Sequence, residues 1–235
     1  MRSPRSEIVF LFDVDNTLLD NDRVIADLRR YLTRAIGAAP AEHYFAIFEQ
    51  LREELGYADY LGALQRYRVA YPRDPCLLAI SSYLVNYPFA NRLFPSSLDV
   101  LERFAEFGPT VILTDGDVVF QPRKIERSGL DTAVEGRILV YIHKERELDD
   151  VARRFPAEHY VLVDDKLHLL AAVKQAWGPR VTTVFVRQGH YARDPAILAS
   201  YPPADLSVDR IGDLLDYDLP TLLGRTTATS EGKPA

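Results

Sequence analysis

The sequence has little of what several classes of protein require. It contains one cysteine, Cys76, so the chain can form neither an internal disulfide nor a zinc site built on cysteines. No apolar run approaches the roughly 18–20 residues of a membrane-spanning helix. The run at residues 8–12 is shorter than the roughly 7–15 residues of a signal-peptide core. We therefore expect a cytoplasmic protein that does not associate with membranes.

The sequence also lacks an excess of positive charge. Its 28 lysines and arginines face 34 aspartates and glutamates, which gives a formal net charge of −6. This balance argues against binding to nucleic acid or to anionic membranes, so we expect neither partner. Hydrophobic residues make up 47% of the chain and charged residues 26%, as in globular proteins, which excludes the disordered classes. The 235 residues allow one large domain or a domain with a smaller insert.

Short apolar runs recur along the chain and predict strands that are buried on both faces of a parallel sheet. They span residues 8–12, 111–113, 138–142, 161–163 and 181–186. Between them, apolar residues recur at helical spacing. Strands that alternate with helices in this way predict an α/β fold with a doubly wound, Rossmann-like parallel sheet.

One long stretch breaks this alternation. Residues 21–93 show helical patterns and no convincing strand run. A normal connection between two parallel strands is far shorter. We therefore predict a helical domain at 21–93, inserted into an α/β core formed by 1–20 and 94–223. The small, polar residues at 224–235 predict a disordered tail.

The first predicted strand ends in the sequence Asp13-Val14-Asp15-Asn16-Thr17. Ligands of open α/β sheets bind beyond the carboxyl ends of the strands. Two carboxylates placed there repel each other without a cation, and Mg²⁺ prefers such oxygen ligands. A carboxylate can also act as a nucleophile and form an aspartyl-phosphate. The alternative is an acidic turn in which Asp15 or Asn16 caps the next helix.

Three further features lie later in the chain. Asp164 and Asp165 follow another buried run, which makes a second acidic strand end. Thr114 ends the second predicted strand, where its hydroxyl and nearby backbone N–H groups could hold phosphate oxygens. Lys144 opens a helical segment, where a cation opposes the helix dipole, so helix stability does not explain its position.

Taken in order, these residues resemble the motifs of the haloacid dehalogenase (HAD) superfamily, in its phosphatase branch. The motifs are Asp13-x-Asp15-x-Thr17, Thr114, Lys144 and Asp164-Asp165, and they span roughly residues 7–190. The resemblance implies that strands one, two and four lie side by side. It also implies that the inserted helices form a C1-type cap.

The resemblance assigns a catalytic role to each matching residue. Asp13 would attack phosphorus, and Asp15 would protonate the leaving oxygen and then activate water. Thr114, with the backbone amide of Asp115, would bind the transferring phosphoryl group. Lys144 would offset the charge on Asp13 and on the phosphate. Thr17, the last residue of the first motif, would support the loop.

The resemblance also implies Mg²⁺ as the cofactor. Asp13, the backbone carbonyl of Asp15 and Asp165 would hold the ion. Asp164 would act beside them, either as a second ligand or through water.

The sequence departs from the family pattern in three places, one of which is Leu169, where the fourth motif often has a further acid. Glu145 follows Lys144 where many members have proline, so Lys124 is a rival for the catalytic lysine. Asp115 stands where many members have asparagine or glycine, and it adds negative charge near a bound phosphate.

These observations predict a Mg²⁺-dependent phosphomonoester hydrolase that acts on a small phosphorylated metabolite. Because a halide leaving group needs no proton, an acid at Asp15 favours phosphoester chemistry over dehalogenation. A phosphomutase or a haloacid dehalogenase is the alternative within the superfamily. A phosphoacceptor signalling domain or a non-catalytic HAD-fold binding protein is the alternative from another class. The sequence leaves the substrate and the oligomeric state open.

Overall fold

A six-stranded parallel sheet lies at the centre of the computed structural model, which describes residues 6–224. The strands are β1 (Ser6–Phe12), β2 (Thr110–Asp115), β3 (Ile138–Tyr141), β4 (Ala157–Asp164), β5 (Val181–Val186) and β6 (Leu206–Val208). Their order in the sheet is β3-β2-β1-β4-β5-β6. The predicted parallel α/β fold is therefore confirmed. The predicted tail, 224–235, lies outside the described residues except for Gly224.

The sheet order places the strands that carry three of the motifs next to one another. In β1, Phe12 pairs with Ile112 of β2 on one side and with Val163 of β4 on the other. The predicted adjacency of strands one, two and four is thus correct. The prediction missed β6, because a three-residue strand is too short to show a pattern.

Four helices follow β1 within the stretch that the sequence analysis predicted to be inserted. They are α1 (Asn21–Ile36), α2 (Ala38–Leu55), α3 (Tyr60–Ala70) and α4 (Leu77–Asn86), and a 3₁₀ turn at Phe89–Arg92 follows them. Gly37 separates α1 from α2, and Gly56 ends α2 with φ at +80°, a conformation that glycine adopts without strain. The predicted helical character of this stretch is confirmed, and the domain boundaries at 21 and 93 stay a prediction.

The inserted helices α1–α4 pack against the core through aromatic side chains. Tyr60 lies between Phe48 and Phe120, with 4.7 Å between its ring centroid and each of theirs. Phe120 belongs to the α/β core, so the apolar interior runs without a break from the inserted helices to the sheet.

Seven further α-helices complete the fold of residues 6–224. They are α5 (Ser97–Ala105), α6 (Phe120–Ser128), α7 (Leu130–Ala133), α8 (Leu148–Arg154), α9 (Leu167–Trp177), α10 (Pro195–Ser200) and α11 (Leu219–Leu222). Side chains of β1 alternate between the faces of the sheet, so Phe10 contacts the apolar layer that contains α5 while Leu11 contacts the layer that contains α9. Within residues 6–224, no helix combines the length and apolar character needed to cross a membrane. The cytoplasmic location stays a prediction.

Candidate active site

The loop after β1 is held in shape by its own backbone. The N–H of Asp13 donates to the carbonyl of Val163, so the loop starts against β4. Asn16 adopts a left-handed φ of 61°, which asparagine tolerates better than most residues. Its Oδ1 accepts the N–H groups of Asn21 and Asp22 at 3.0 and 3.2 Å. Asn16 thus binds the loop to the first turn of α1, but the N-cap of that helix is Asp20, so neither Asp15 nor Asn16 caps it.

A buried lysine joins two of the predicted aspartates. Lys144 lies in a 3₁₀ turn after β3, and its Nζ is 2.6 Å from Asp13 Oδ1 and 2.6 Å from Asp164 Oδ2. Its side chain is only 2% exposed. Burial disfavours the ammonium, but the nearby carboxylates of Asp13 and Asp164 outweigh this effect and raise the pKa of Lys144. The lysine is therefore charged at neutral pH.

Asp13, Asp164 and Asp165 form a set of carboxylates that fits a metal ion. Each offers one oxygen, and these oxygens lie within 4.8 Å of one another. Both oxygens of Asp165 and Oδ2 of Asp13 are buried and have no hydrogen-bond donor within residues 6–224. Burial and the neighbouring Asp164 raise the pKa of Asp165 well above its usual range. Such acids are costly to ionise without a compensating cation, and Mg²⁺ prefers oxygen ligands of this kind.

The rival lysine lies at the same site but contacts a different aspartate. Lys124 extends from α6, and its Nζ is 2.6 Å from Asp15 Oδ1 and 3.2 Å from Asn21 Oδ1. Each carboxylate of the first motif therefore has its own lysine. Lys144 pairs with Asp13, and Lys124 pairs with Asp15. Of the two, Lys144 contacts Asp13, the residue to which the HAD resemblance assigns the nucleophilic role.

The remaining predicted residues are Thr114 and Asp115 on β2 and Thr17 in the loop after β1. Thr114 is fully buried, and its hydroxyl accepts a hydrogen bond from Gln121 at 2.9 Å. Asp115 Oδ1 accepts the backbone N–H of Lys144 at 2.7 Å, so the unusual acid anchors the turn that carries the lysine. Burial raises the pKa of Asp115. The backbone carbonyl of Thr17 accepts from Gln188, consistent with a supporting role.

A cavity of about 280 Å³ adjoins three of the acids of this site, whereas Asp13 and Asp164 do not line it. Asp15, Asp115 and Asp165 line its floor. Its walls come from α2, α3 and their connection, from the start of α1, and from the loops after β4 and β5; they include Asn21, Phe48, Arg52, Tyr57, Tyr60, Lys166, His190 and Tyr191. The inserted helices therefore cover the site, and the space they leave suits a small molecule.

Sequence reasoning did not assign several of these residues. Gln121 precedes Lys124 by three positions on one helix, a spacing that places both on the same face and could have signalled a shared role. Lys166 directly follows the paired acids, and the carboxylates of Asp13 and Asp165 raise its pKa against the effect of burial. His190 lines the cavity, and a contact that only the fold creates holds it there. Its Nδ1 lies 2.6 Å from Asp22 Oδ1.

Comparison with known proteins agrees with this arrangement. The family model for haloacid dehalogenase-like hydrolases matches residues 9–176. The crystal structure of a haloacid dehalogenase-like hydrolase from Burkholderia xenovorans LB400 superposes with a TM-score of 0.87. That protein is 63% identical, and the alignment covers 92% of this chain and 97% of that one. No curated protein matches the chain.

More distant structures share the fold. The HAD-hydrolase YfnB from Bacillus subtilis, whose structure has magnesium bound, is 18% identical, with a TM-score of 0.58 and coverage of 91% and 98% of the two chains. L-2-haloacid dehalogenase from Xanthobacter autotrophicus, with chloropropionic acid covalently bound, is 17% identical, with a TM-score of 0.54 and coverage of 89% and 96%. On the family match and the 63% relative, the chain belongs to the haloacid dehalogenase-like hydrolases.

Proposed function

We propose that this hydrolase is a Mg²⁺-dependent phosphatase that cleaves a small phosphomonoester through an aspartyl-phosphate. The observation that carries the proposal is Asp15, a second carboxylate that lines the cavity two residues after Asp13 and has its own cation, Lys124. An ester leaving group needs a proton donor at this place. A halide does not, so the proposal favours phosphatase over dehalogenase chemistry.

In the proposed first step, a carboxylate oxygen of Asp13 attacks phosphorus and the bond from phosphorus to the ester oxygen breaks. Asp15 gives its proton to that oxygen as the alcohol leaves. In the second step Asp15 takes a proton from water, the resulting hydroxide attacks phosphorus, and the acyl-phosphate bond breaks. Phosphate departs, Asp13 is regenerated, and Asp15 is again protonated.

The surrounding residues favour this reaction electrostatically. Lys144 stays charged beside Asp13 and stabilises the negative charge that the phosphoryl group brings. Asp13, Asp164, Asp165 and the backbone carbonyl of Asp15 would hold Mg²⁺, which when bound supplies positive charge that polarises the phosphoryl oxygens. Thr114, next to the last residue of β2, would orient the phosphoryl group together with the amide of Asp115.

The inserted helices take the part of a C1-type cap in this proposal. They close the cavity from above, which keeps bulk water away during phosphoryl transfer. The small cavity volume supports a small phosphorylated metabolite as the substrate and speaks against a phosphorylated macromolecule. Neither nucleic acid nor a membrane is part of the proposed reaction.

A panel of small phosphomonoesters, assayed with and without Mg²⁺, tests the proposal. We expect turnover that depends on Mg²⁺ and that is lost in Asp13→Asn. Asp99→Asn is the matched control, because Asp99 is exposed on α5 and remote in sequence from every motif. Full activity in Asp13→Asn, or no turnover of any ester, would contradict the mechanism.

Further substrates separate the alternatives. Halide release from 2-haloacids without phosphate release from esters would favour the dehalogenase. A phosphorylated protein that survives after acetyl phosphate is removed would favour a phosphoacceptor signalling domain. Transfer of the phosphoryl group to a second substrate hydroxyl, with little free phosphate, would favour a phosphomutase.

A further inference from the structure

Besides Lys144, which contacts Asp13, the structure contains a second buried lysine, Lys124, which contacts Asp15. We propose that Lys124 is a positioning residue that orients Asp15 for proton delivery to the leaving group. This inference rests on the proposed phosphatase function. It gives the two lysines separate tasks: Lys144 acts at the phosphoryl group and the nucleophile, whereas Lys124 acts only through Asp15.

Because burying a charged side chain costs free energy, the burial of Lys124 argues against an incidental role. Its side chain is 0% exposed, whereas that of Asp15 is 24% exposed toward the cavity. Nζ lies 5.5 Å from the ring centroid of Phe120 and 5.9 Å from that of Tyr60, so two aromatic rings flank the ammonium. A charge held in such surroundings loses its hydration and requires good partners. Asp15 is its ion-pair partner, at 2.6 Å.

The same helix holds both oxygens of Asp15. Lys124 donates to Oδ1, and the amide of Gln121, one turn earlier on α6, lies 3.4 Å from Oδ2. Gly116 permits this approach of α6 to the sheet, since a Cβ at that position would lie 2.9 Å from the Cβ of Gln121. The Asp15 carboxylate is therefore held between two donors on one rigid element.

The contacts of Lys124 also reach the inserted helices. Its second acceptor, Asn21 Oδ1, belongs to the first residue of α1. The Nδ2 of Asn21 donates to the hydroxyl of Tyr60 on α3 at 3.3 Å, and Tyr60 lines the cavity. Lys124 thus lies where the core helix α6, the motif loop and the cap meet. It fixes Asp15 relative to the walls that would hold the leaving group.

Orientation of a general acid matters most for esters whose alcohol is a poor leaving group. General acid catalysis contributes about 10²–10⁴ in rate for such groups. Acetyl phosphate releases acetate, which needs no proton. Loss of Lys124 should therefore slow the attack of Asp13 on an alkyl phosphate and leave its attack on acetyl phosphate nearly unchanged.

The test is the first turnover of Lys124→Met, with Mg²⁺, on acetyl phosphate and on the best alkyl phosphate of the panel. The first turnover reports phosphorylation of Asp13 alone, without the later hydrolysis that also uses Asp15. We expect phosphorylation by the alkyl phosphate to slow by about 10² or more, and phosphorylation by acetyl phosphate to stay near the wild-type rate. Asp15→Asn should show the same selectivity.

Two other variants keep the test independent of folding defects. Lys174→Met is the matched control, because Lys174 pairs with the partly exposed Asp205 and lines no part of the site cavity; it should show no selectivity. Asn21→Ala keeps Lys124 and Asp15 but removes the second acceptor of the ammonium. It should show the same selectivity as Lys124→Met, to a smaller degree. Circular dichroism checks that each variant is folded.

An equal slowing of both substrates in folded Lys124→Met would overturn the inference, because it would mean that Lys124 serves the phosphoryl group or only packing. Wild-type rates on both substrates would overturn it as well. In either case the wild-type protein still hydrolyses esters, so the proposed function stands. If instead the wild-type protein phosphorylates from neither substrate, the proposed function fails and this inference fails with it.

Discussion

Lys144 and Asp13 form an ion pair across 131 positions of the sequence, with 2.6 Å between Nζ and Oδ1. Asp13 follows β1 and Lys144 follows β3, and the two meet because parallel strands end at the same edge of the sheet. The pair is almost completely removed from water. A buried ion pair is tolerated when each charge has good partners, and Lys144 has a second one in Asp164.

Removing this lysine should harm both stability and activity. In Lys144→Met, Asp13 and Asp164 lose their shared cation while they stay buried. We expect unfolding to become easier by about 3–5 kcal/mol in the metal-free protein, measured by urea denaturation. We also expect phosphorylation of Asp13 to slow by about 10² or more with acetyl phosphate and alkyl phosphates alike. A loss confined to alkyl phosphates would contradict the role given to Lys144.

Removing a metal-site carboxylate should have the opposite effect on stability. Burial and the neighbouring carboxylates raise the pKa of Asp165, so its ionised form opposes folding when no cation is bound. Asp165→Asn removes that charge and keeps the shape. We expect the metal-free variant to be more stable than wild type by an amount on the order of 1 kcal/mol. We expect it to lose activity as well.

Thermal melts with and without Mg²⁺ measure the effect of Asp165→Asn. Wild type should gain stability from Mg²⁺, and the variant should gain much less. Asp99→Asn again serves as the control, because Asp99 is an exposed residue of α5. A metal-free Asp165→Asn protein that melts below wild type would show that the carboxylate stabilises the fold without a cation.

The stabilisation by Mg²⁺ should depend on pH. Burial raises the pKa values of Asp164 and Asp165 in the folded chain. A carboxyl group whose pKa is raised by folding favours the folded state most when the pH is below its pKa in the unfolded chain, about 3.9. It loses that contribution as the pH rises through its pKa in the folded chain. Protons compete with the metal, so Mg²⁺ should raise the melting temperature more at about pH 7.5 than at about pH 5. An equal rise at both would contradict carboxylate binding.

Asp27 is a buried carboxylate within the inserted helices, and its contribution to stability should depend on pH in the opposite sense. Burial would raise the pKa of Asp27, but hydrogen bonds from Tyr87 and Arg92 outweigh it and lower the pKa. Asp27 on α1 is 8% exposed, and the Nε of Arg92 lies 3.0 Å from its Oδ2. Asp27 therefore links α1 to the turn that contains Arg92, through which the chain returns to the core.

For Asp27→Asn we expect a loss of about 1–3 kcal/mol in unfolding free energy at about pH 7. A lowered carboxylate pKa stabilises the fold above the unfolded value and loses its effect as the pH falls through the folded value. The difference between wild type and variant should therefore shrink below about pH 4. Urea denaturation at both pH values measures it, and an undiminished difference at low pH would contradict the assignment.

Much of the fold was predictable because burial leaves a local mark on the sequence. The runs at 8–12 and 181–186 are apolar without interruption, since both faces of a central parallel strand are covered. Helical spacing marked 21–93 in the same way. By contrast, β6 pairs only with β5, and its three residues carry too short a pattern for recognition.

The candidate site was predictable only in part. The acids at 13, 15, 164 and 165 stand directly after buried strands, and this position is visible in the sequence. The family resemblance paired Lys144 with Asp13 but left Lys124 as its rival, and nothing in the sequence indicated that Lys124 would meet Asp15. Lys124 and Lys144 are both buried lysines near motif residues, and only the packing of α6 and of the turn after β3 assigns each to its aspartate.

The sequence by itself therefore determined the parallel α/β sheet, the helical insert, and the strand ends that carry carboxylates. Each of these follows from local patterns of burial and charge. The tertiary structure alone decided which cation meets which carboxylate, and how the inserted helices close a small cavity over them. Such contacts join residues more than 100 positions apart, as Lys124 and Asp15 do, and they depend on the packing of whole helices against the sheet.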